Sequence, residues 1–201
     1  MTTVSTLLQR ETMRLQDENR ALQTEVVSLR DFVRAISELY EAADHFEDDS
    51  QLYPLLNRIL KQALLLCNAP DGSLALLDDD TNELVFIMVQ GKLSEQMLNY
   101  RMPSTEGIVG WVMQHHEPAL VRNVKTDLRF SNRIDQSFTF NTQSILAVPL
   151  IGDGKVFGVV EVLNQPGDQP FSDSDVALMN LLCRAAGQVL AYVDRQKPGA
   201  S

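Results

Sequence analysis

Residues 144–165, SILAVPLIGDGKVFGVVEVLNQ, contain the clearest strand pair in the chain. Two apolar runs, 144–151 and 155–164, flank a Gly-Asp-Gly triplet, and a short glycine-containing turn between such runs is typical of a β-hairpin. Successive side chains of a strand point to opposite faces of the sheet. Both alternating sets of the second run are mainly apolar, so this strand is predicted to be buried on both sides. Glu161 is then a carboxylate in apolar surroundings.

Glu161 is therefore the first candidate for a functional residue. A buried carboxylate without a partner is costly, or it takes up a proton, so some group should hydrogen-bond it. Two small hydroxyls on or beside neighbouring strands, Ser73 and Thr142, could converge on it. The carboxylate could equally be a structural group that ties down a loop, because most buried polar groups are satisfied within the protein.

Outward from the hairpin, the apolar periodicity predicts further helices and strands. An amphipathic helix covers about residues 51–67, and a long final helix begins after Ser172. Strands are predicted at 73–77, 83–89 and 119–121, a short helix at 107–114, and a polar, irregular segment at 127–141. This order predicts an α+β domain: an antiparallel sheet of five or six strands with N- and C-terminal helices on one face and a lidded pocket on the other.

The start of the chain carries a seven-residue repeat of leucine or isoleucine. These residues are taken as the d positions of a heptad, with Asn19, Val26 and Val33 at a positions; this pattern favours two parallel strands, whose register the lone Asn fixes. Residues 1–33 are therefore predicted to form a parallel coiled-coil helix in a homodimer, and the alternative is a single amphipathic helix lying on its own domain. The predicted dimerisation residues are Leu8, Leu15, Asn19, Leu22, Val26, Leu29, Val33 and Ile36.

Composition narrows the class of protein. The 201 residues are 44% hydrophobic and carry a formal net charge of −10. An acidic chain is not expected to bind nucleic acid or an anionic membrane surface, because both bind basic protein surfaces. No signal peptide or membrane span is expected from the pattern. The two cysteines fall within apolar helical patterns, as buried thiols of a reducing compartment do. We therefore expect a cytoplasmic protein.

Several ordered motifs resemble the GAF domain family. EGIVGWV at 106–112 is similar to the family's helix after its second strand, and DLRFSNRID at 127–135 resembles its lid segment. SILAVPL at 144–150 resembles its central strand, and GVVEVLNQ at 158–165, followed by Phe171 and Asp175, resembles the closing strand, loop and helix start. The resemblance implies a GAF-like (PAS-like) sensor domain over residues 34–196, with 197–201 as a disordered tail.

The resemblance is closest to the branch in which cyclic nucleotides bind phosphodiesterases and adenylyl cyclases. Asn164, Phe171 and Asp175 match that branch's signature, whereas Gln165 and Val176 stand where it has Lys and Glu. The family's Lys–Asp pair therefore lacks its cation here. In the pocket, Gln90, Ser131 and Phe138 also depart from the usual acid, aromatic and hydroxyl. The resemblance implies a ligand site lined by Ser73, Ile108, Val109, Phe130, Ser131, Thr142 and Glu161.

The expected function is a dimeric, non-enzymatic sensory module that binds a small molecule and passes the signal through its N- and C-terminal helices. A cyclic nucleotide or other purine is the candidate ligand, with no cofactor required. A downstream signalling protein is the expected partner, with no nucleic acid and no membrane. The alternative is a ligand-free GAF dimerisation or scaffold domain.

Catalytic and metal sites are not expected. A redox enzyme of methionine sulfoxide reductase type is disfavoured because that branch uses cysteines in pocket loops, whereas Cys67 and Cys183 fall on predicted helices. The adjacent His115 and His116 cannot share one helical face as metal ligands spaced i,i+4 would.

Overall fold

The computed structural model of the chain describes residues 2–44, 51–92 and 94–196. They fall into two compact units, residues 1–37 and residues 38–201. The predicted disordered tail, 197–201, lies outside the described residues.

Helix α1, Thr2–Asp44, supplies the first unit. Four of its predicted d-position side chains are about half exposed or more, Leu8, Leu15, Leu22 and Leu29, whereas the fifth, Ile36, is half-buried. The a-position residues Val26 and Val33 are exposed as well. An exposed apolar row on a long helix is what the heptad hypothesis requires of a single chain, and the coiled coil itself stays a prediction.

The second unit contains a six-stranded antiparallel sheet, as predicted. The strands are β1 (Asp71–Asp78), β2 (Glu83–Gln90), β3 (Arg101–Pro103), β4 (Ala119–Val121), β5 (Ile145–Gly152) and β6 (Lys155–Leu163). Their order across the sheet is β3-β2-β1-β6-β5-β4, and each neighbouring pair is antiparallel. The hairpin of residues 144–165 therefore supplies two central strands.

Five further α-helices are described: α2 (Leu52–Leu66), α3 (Ser94–Met97), α4 (Gly107–His115), α5 (Arg133–Phe138) and α6 (Asp173–Gln196); two 3₁₀ helices, Val124–Thr126 and Pro166–Asp168, lie between them. Three of the strands and α-helices are absent from the sequence expectation. These are α3, β3 and α5, the last of which lies inside the segment predicted to be irregular. Each has six residues or fewer, too few to show a periodicity that distinguishes it from a loop.

The two faces of the sheet are covered differently. Helices α2 and α6 pack on one face, and α6 lies mainly along β5. Helix α4 packs on the other face, where Val159 and Ala147 join an apolar cluster with Val112 and Phe86. Strand alternation places Glu161 on this second face together with Val159. The sheet therefore separates the helical layer from the layer that holds Glu161.

Helix α6 touches the backbone of β5 directly. A Cβ atom at Gly187 would overlap the carbonyl group of Ile151, and one at Gly152 would overlap the carbonyl oxygen of Gly187. The two glycines thus allow helix and strand to approach without intervening side chains. Among the described helices, α6 alone is long and apolar enough to cross a membrane, but half of that window is buried, as in a core helix.

Candidate functional site

A cavity of about 270 Å³ lies on the α4 side of the sheet. Its floor includes Glu161, and residues of α4, of α5 and of the segment 127–142 enclose it. The lining combines aromatic and sulfur-containing side chains with a few polar groups. The aromatic and methionine residues are Phe86, Met97, Tyr100, Met102, Phe130 and Phe140; the polar ones are Glu106, Ser131, Arg133, Asp135, Ser137, Thr142 and Glu161.

Glu161 is the most deeply buried acid of the cavity, with 9% of its surface exposed. It lies between Ser73 of β1 and Ala147 of β5 in the strand register. The Ser73 hydroxyl donates a hydrogen bond of 2.7 Å to Oε1. No second donor reaches this carboxylate from the residues that the structure describes. One carboxylate oxygen is thus left for whatever occupies the cavity.

Burial raises the pKa of Glu161 from its ordinary value of 4.5 to about 7. Desolvation is the main cause, since the charged form loses water; the Ser73 hydrogen bond opposes it, and the negative charge of Asp135 adds to it. The side chain is therefore poised between its acid and its base form near neutral pH.

This raised pKa makes folding stability depend on pH. The folded state holds a proton that the unfolded chain releases, so the stabilisation is complete below pH 4.5 and is lost as the pH rises through 7. Glu161→Gln keeps an acceptor for Ser73 but does not titrate. We expect it to raise the free energy of unfolding by about 2 kcal/mol at pH 8 and to change it little at pH 5.

Urea unfolding at the two pH values measures this difference. The matched control is Glu83→Gln, which makes the same change in formal charge at a surface ion pair with Arg101. This control should lower the free energy of unfolding by less than about 1 kcal/mol at either pH. If Glu161→Gln raised the free energy of unfolding equally at pH 5 and pH 8, the buried carboxylate would not be the titrating group.

Asp135 fastens the end of the segment 127–142 above the cavity. Its Oδ1 accepts a hydrogen bond of 2.6 Å from the Thr142 hydroxyl, and its Oδ2 accepts one of 2.9 Å from the Thr142 backbone N–H. Both carboxylate oxygens are therefore engaged within the protein. We name residues 127–142 the lid.

A second fastening joins the lid to the start of α4. Arg133 donates from Nη1 to both carboxylate oxygens of Glu106, at 3.0 and 2.9 Å, and the Ser131 hydroxyl donates to Oε1 at 3.2 Å. The hydrogen bond from Arg133 is the main cause that lowers the pKa of Glu106 below its usual range. The hydrogen bond from Ser131 lowers it further, whereas burial opposes both. Glu106 thus stays ionised beside the cavity, and its charge is already paired.

The other lid cation, Arg129, is not part of the cavity lining. It pairs with Asp127 at 2.7 Å, and its guanidinium lies 4.5 Å from the centroid of the Trp111 ring. Trp111 in turn stacks on His115 at 4.2 Å. This stack ties the lid to α4, so Arg129 has a structural explanation and His115 packs on the Trp111 ring. The described residues contain no cluster suited to a metal ion.

The structure brings six of the seven predicted ligand residues to one cavity. Ile108, Val109, Phe130, Ser131, Thr142 and Glu161 all line it. Ser73 does not line the cavity, because its hydroxyl lies behind Glu161 and serves that carboxylate. Gln90 is hydrogen-bonded to Asn57 at 2.9 Å, and Phe138 packs edge-on against Tyr100. These departures from the family pattern therefore have partners within the domain.

Sequence reasoning missed Tyr100, Met97, Met102 and Asp135. The first three belong to or adjoin α3 and β3, the elements too short to be predicted. Asp135 lies in the quoted lid motif, yet nothing in the pattern distinguishes it from the acids around it. The sequence offers one weak signal for its role, a possible hydrogen-bond partner seven residues later, Thr142.

The three motif residues Asn164, Phe171 and Asp175 have structural roles. The Asn164 amide accepts from the N–H groups of Gln143 and Ser144 and donates to the Asn141 carbonyl, which closes the base of the lid. Phe171 is fully buried. Asp175 accepts hydrogen bonds from the Ser172 hydroxyl and backbone N–H, as a capping group of α6.

The missing cation of the family's Lys–Asp pair has a neutral substitute. The Gln165 amide donates to Asp175 at 3.4 Å and to the Cys67 carbonyl at 2.8 Å. Burial raises the pKa of the Cys67 thiol to about 12, with the charge of Asp175 adding to it, and burial also raises that of Cys183. Neither cysteine lines the cavity, and thiols with raised pKa values are poor nucleophiles.

Comparison with known proteins agrees with this architecture. The GAF domain family matches residues 51–190. Phosphodiesterase 11A of Takifugu rubripes, a dual 3',5'-cyclic-AMP and -GMP phosphodiesterase, is 24% identical over 151 residues, which cover 70% of this chain and 17% of that protein. A probable 3',5'-cyclic phosphodiesterase of Caenorhabditis elegans, pde-5, is 26% identical over 129 residues, which cover 60% of this chain and 18% of that protein. The chain therefore spans less than a fifth of the length of these two relatives.

Two solved structures share the fold. The GAF domain of a phosphoenolpyruvate-protein phosphotransferase from Coxiella burnetii has a TM-score of 0.68 at 18% identity, covering 82% of this chain and 95% of that one. A free methionine-R-sulfoxide reductase from Neisseria meningitidis has a TM-score of 0.64 at 16% identity, covering 83% and 92%. The family match spans more than half of the sequence, and the curled six-stranded sheet with its flanking helices agrees with it. The chain belongs to the GAF domain family.

Proposed function

We propose that the chain is a dimeric, non-enzymatic sensory module that binds a small molecule in the cavity above Glu161. The observation that carries the proposal is the unpaired oxygen of a nine-tenths buried carboxylate facing an aromatic cavity. No fully buried side-chain oxygen or nitrogen among the described residues lacks a hydrogen-bond partner, so this oxygen is reached from the cavity, where a donor on a ligand can pair with it. Apolar walls with a few convergent polar groups are the usual composition of a ligand site.

The same strands connect the cavity to the terminal helix. Ile145 of β5 and Glu161 of β6 line the cavity, whereas the far side of β5 contacts α6 through Gly152 and Gly187. A ligand that shifts β5 or orders the lid therefore acts on a strand that packs directly on α6. We propose that the signal leaves the domain through this helix and through α1, which pairs along its heptads with a second copy of the chain.

The candidate ligands start with cyclic nucleotides and other purines, because relatives of the chain are phosphodiesterases of cyclic nucleotides. The downstream recipient is a signalling protein, and the place of action is the cytoplasm. Two competing functions fit less well. A scaffold domain with a self-filled pocket would place Phe138, Met88 and Phe157 in the cavity, and none of the three lines it. A sulfoxide reductase would need an accessible thiol there.

Native mass spectrometry of the purified chain and a thermal-shift panel test the proposal. The panel contains cyclic AMP, cyclic GMP, nucleosides, amino acids, amines and carboxylic acids. We expect a co-purified small molecule, or one compound that raises Tm by about 5 °C at a hundredfold excess over its Kd. Ser131→Phe, which projects a ring from the cavity lining, should abolish the effect. Gln136→Phe, at an exposed position of α5 outside that lining, should retain it.

An empty cavity in the mass spectrum, with no stabilised state across the panel, would favour the scaffold function instead. Turnover of free methionine sulfoxide by the purified chain would contradict the non-enzymatic assignment.

A further inference from the structure

The cavity lining carries more negative than positive side chains. Three carboxylates line it, those of Glu106, Asp135 and Glu161, and Arg133 is the one cation in the lining. Both oxygens of Glu106 are engaged by the Arg133 guanidinium. With that pair neutralised, two acids are left without a cation among the lining residues, Asp135 and Glu161. An anionic ligand would meet their negative potential without a free positive group to hold it.

The hydrogen-bonding capacity of the cavity points to one oxygen. Both oxygens of Asp135 accept from Thr142, and Oε1 of Glu161 accepts from Ser73. Oε2 of Glu161 has no donor from the described part of the chain. Hydrogen bonds to a carboxylate oxygen are stronger from a charged N–H donor than from a neutral one. A positively charged donor on the ligand would therefore be the best partner for this oxygen.

The walls suit the remainder of such a ligand. Aromatic faces attract cations through their quadrupole, and four aromatic side chains line the cavity: Phe86, Tyr100, Phe130 and Phe140. The sulfur atoms of Met97 and Met102 add soft, apolar surface. A flat or apolar body with one positively charged nitrogen would match both the walls and the floor.

We propose that this cavity binds an organic cation, an ammonium or amidinium group on a compact apolar or aromatic body, with its N–H groups donating to Glu161. The inference rests on the proposed sensory function but replaces the anionic cyclic nucleotides by cationic nitrogen compounds as the ligand class. It also makes Glu161 the recognition group. The carboxylate of Asp135, which has no cation partner in the lining, adds to the negative potential, and the lid encloses the ligand.

Binding of such a cation is coupled to a proton. The cation pairs with the ionised form of Glu161, which has a pKa of about 7 in the empty cavity. The other charged groups that face it from the lid and α4 are Asp135, Arg133 and Glu106. Protons therefore compete with the ligand at low pH. We expect affinity to be constant above about pH 8 and to fall toward tenfold per unit below the pKa.

A set of three isosteric probes tests the charge preference on the full chain. Benzamidine is a cation, benzamide is neutral, and benzoate is an anion of nearly the same shape. In isothermal titration or ligand-observed NMR at pH 8, benzamidine should bind most tightly, benzamide more weakly and benzoate most weakly. Glu161→Gln should weaken benzamidine by about tenfold or more, the worth of a charge-assisted hydrogen bond. Glu83→Gln, a surface change of equal charge, should leave the affinity unaltered.

The pH profile gives a second measurement. Benzamidine affinity should fall between pH 8 and pH 6 in the native chain and stay flat in Glu161→Gln. Benzoate binding as tightly as benzamidine, indifference of benzamidine to Glu161→Gln, or failure of all three probes would overturn the inference. Cyclic AMP, or a co-purified anion, found in the cavity would overturn it as well while leaving the sensory function intact. An empty cavity with no response to any compound would overturn both.

Discussion

Replacing Gly187 by alanine should lower the free energy of unfolding by about 3 kcal/mol, at the upper end of what overpacking in a core costs. In most helix interiors the same change stabilises, by up to about 1 kcal/mol, because glycine has the greater conformational entropy in the unfolded chain. Here the new Cβ would overlap the backbone of Ile151. Backbone cannot rotate away as a flexible side chain can, so α6 would have to lift from β5.

Urea unfolding of the variant, with the native chain alongside, measures the change. The matched control is Gln188→Ala, at the next position of α6 and exposed, which should shift stability by less than about 0.5 kcal/mol. A variant with alanine at 187 that is as stable as the native chain would show that α6 and β5 are not in backbone contact. Since the proposed signal path runs through this contact, that result would also weaken the path.

The sheet was predictable because its signals are local. Residues 144–165 carry alternation, a glycine turn and two apolar faces within one hairpin, and the structure places β5 and β6 there at the centre. Glu161 was found for the same reason, since an acid within an apolar strand stands out without any knowledge of its neighbours. The confirmed GAF family match rests on such runs.

The lid and its fastenings were not predictable from local pattern. Asp135 matters because Thr142 folds back to meet both of its oxygens, and that meeting depends on the turn between them. The family resemblance predicts Ser73 as a ligand residue, and only the strand register shows that its hydroxyl is bonded to Glu161. Gln165 illustrates a substitution of partners: a neutral amide takes the place of the family's cation beside Asp175.

Leu22→Asp should convert the proposed dimer to monomers and raise its Kd at least about a hundredfold. Leu22 occupies a central d position, and its side chain is 54% exposed in the single chain, so a partner helix is what would bury it. In a parallel pair each chain would place a carboxylate in the apolar seam, opposite the other. Burial of an unpaired charge costs several kcal/mol, and each factor of ten in Kd corresponds to about 1.4 kcal/mol.

Sedimentation equilibrium over a range of chain concentrations measures the change. Ala21→Asp is the matched control: it adds the same charge one residue away, at an exposed position that the heptad assigns to the outer face. This control should sediment as the native dimer does. If Leu22→Asp and Ala21→Asp behave alike, the leucine repeat is not the dimer seam and α1 is a solvent-facing helix.

If only Leu22→Asp dissociates while both variants keep the same Tm for the domain of residues 38–196, the heptads act in assembly alone. Ligand binding in the cavity can then be compared between monomer and dimer, and a difference in affinity would measure the coupling between cavity and coil directly.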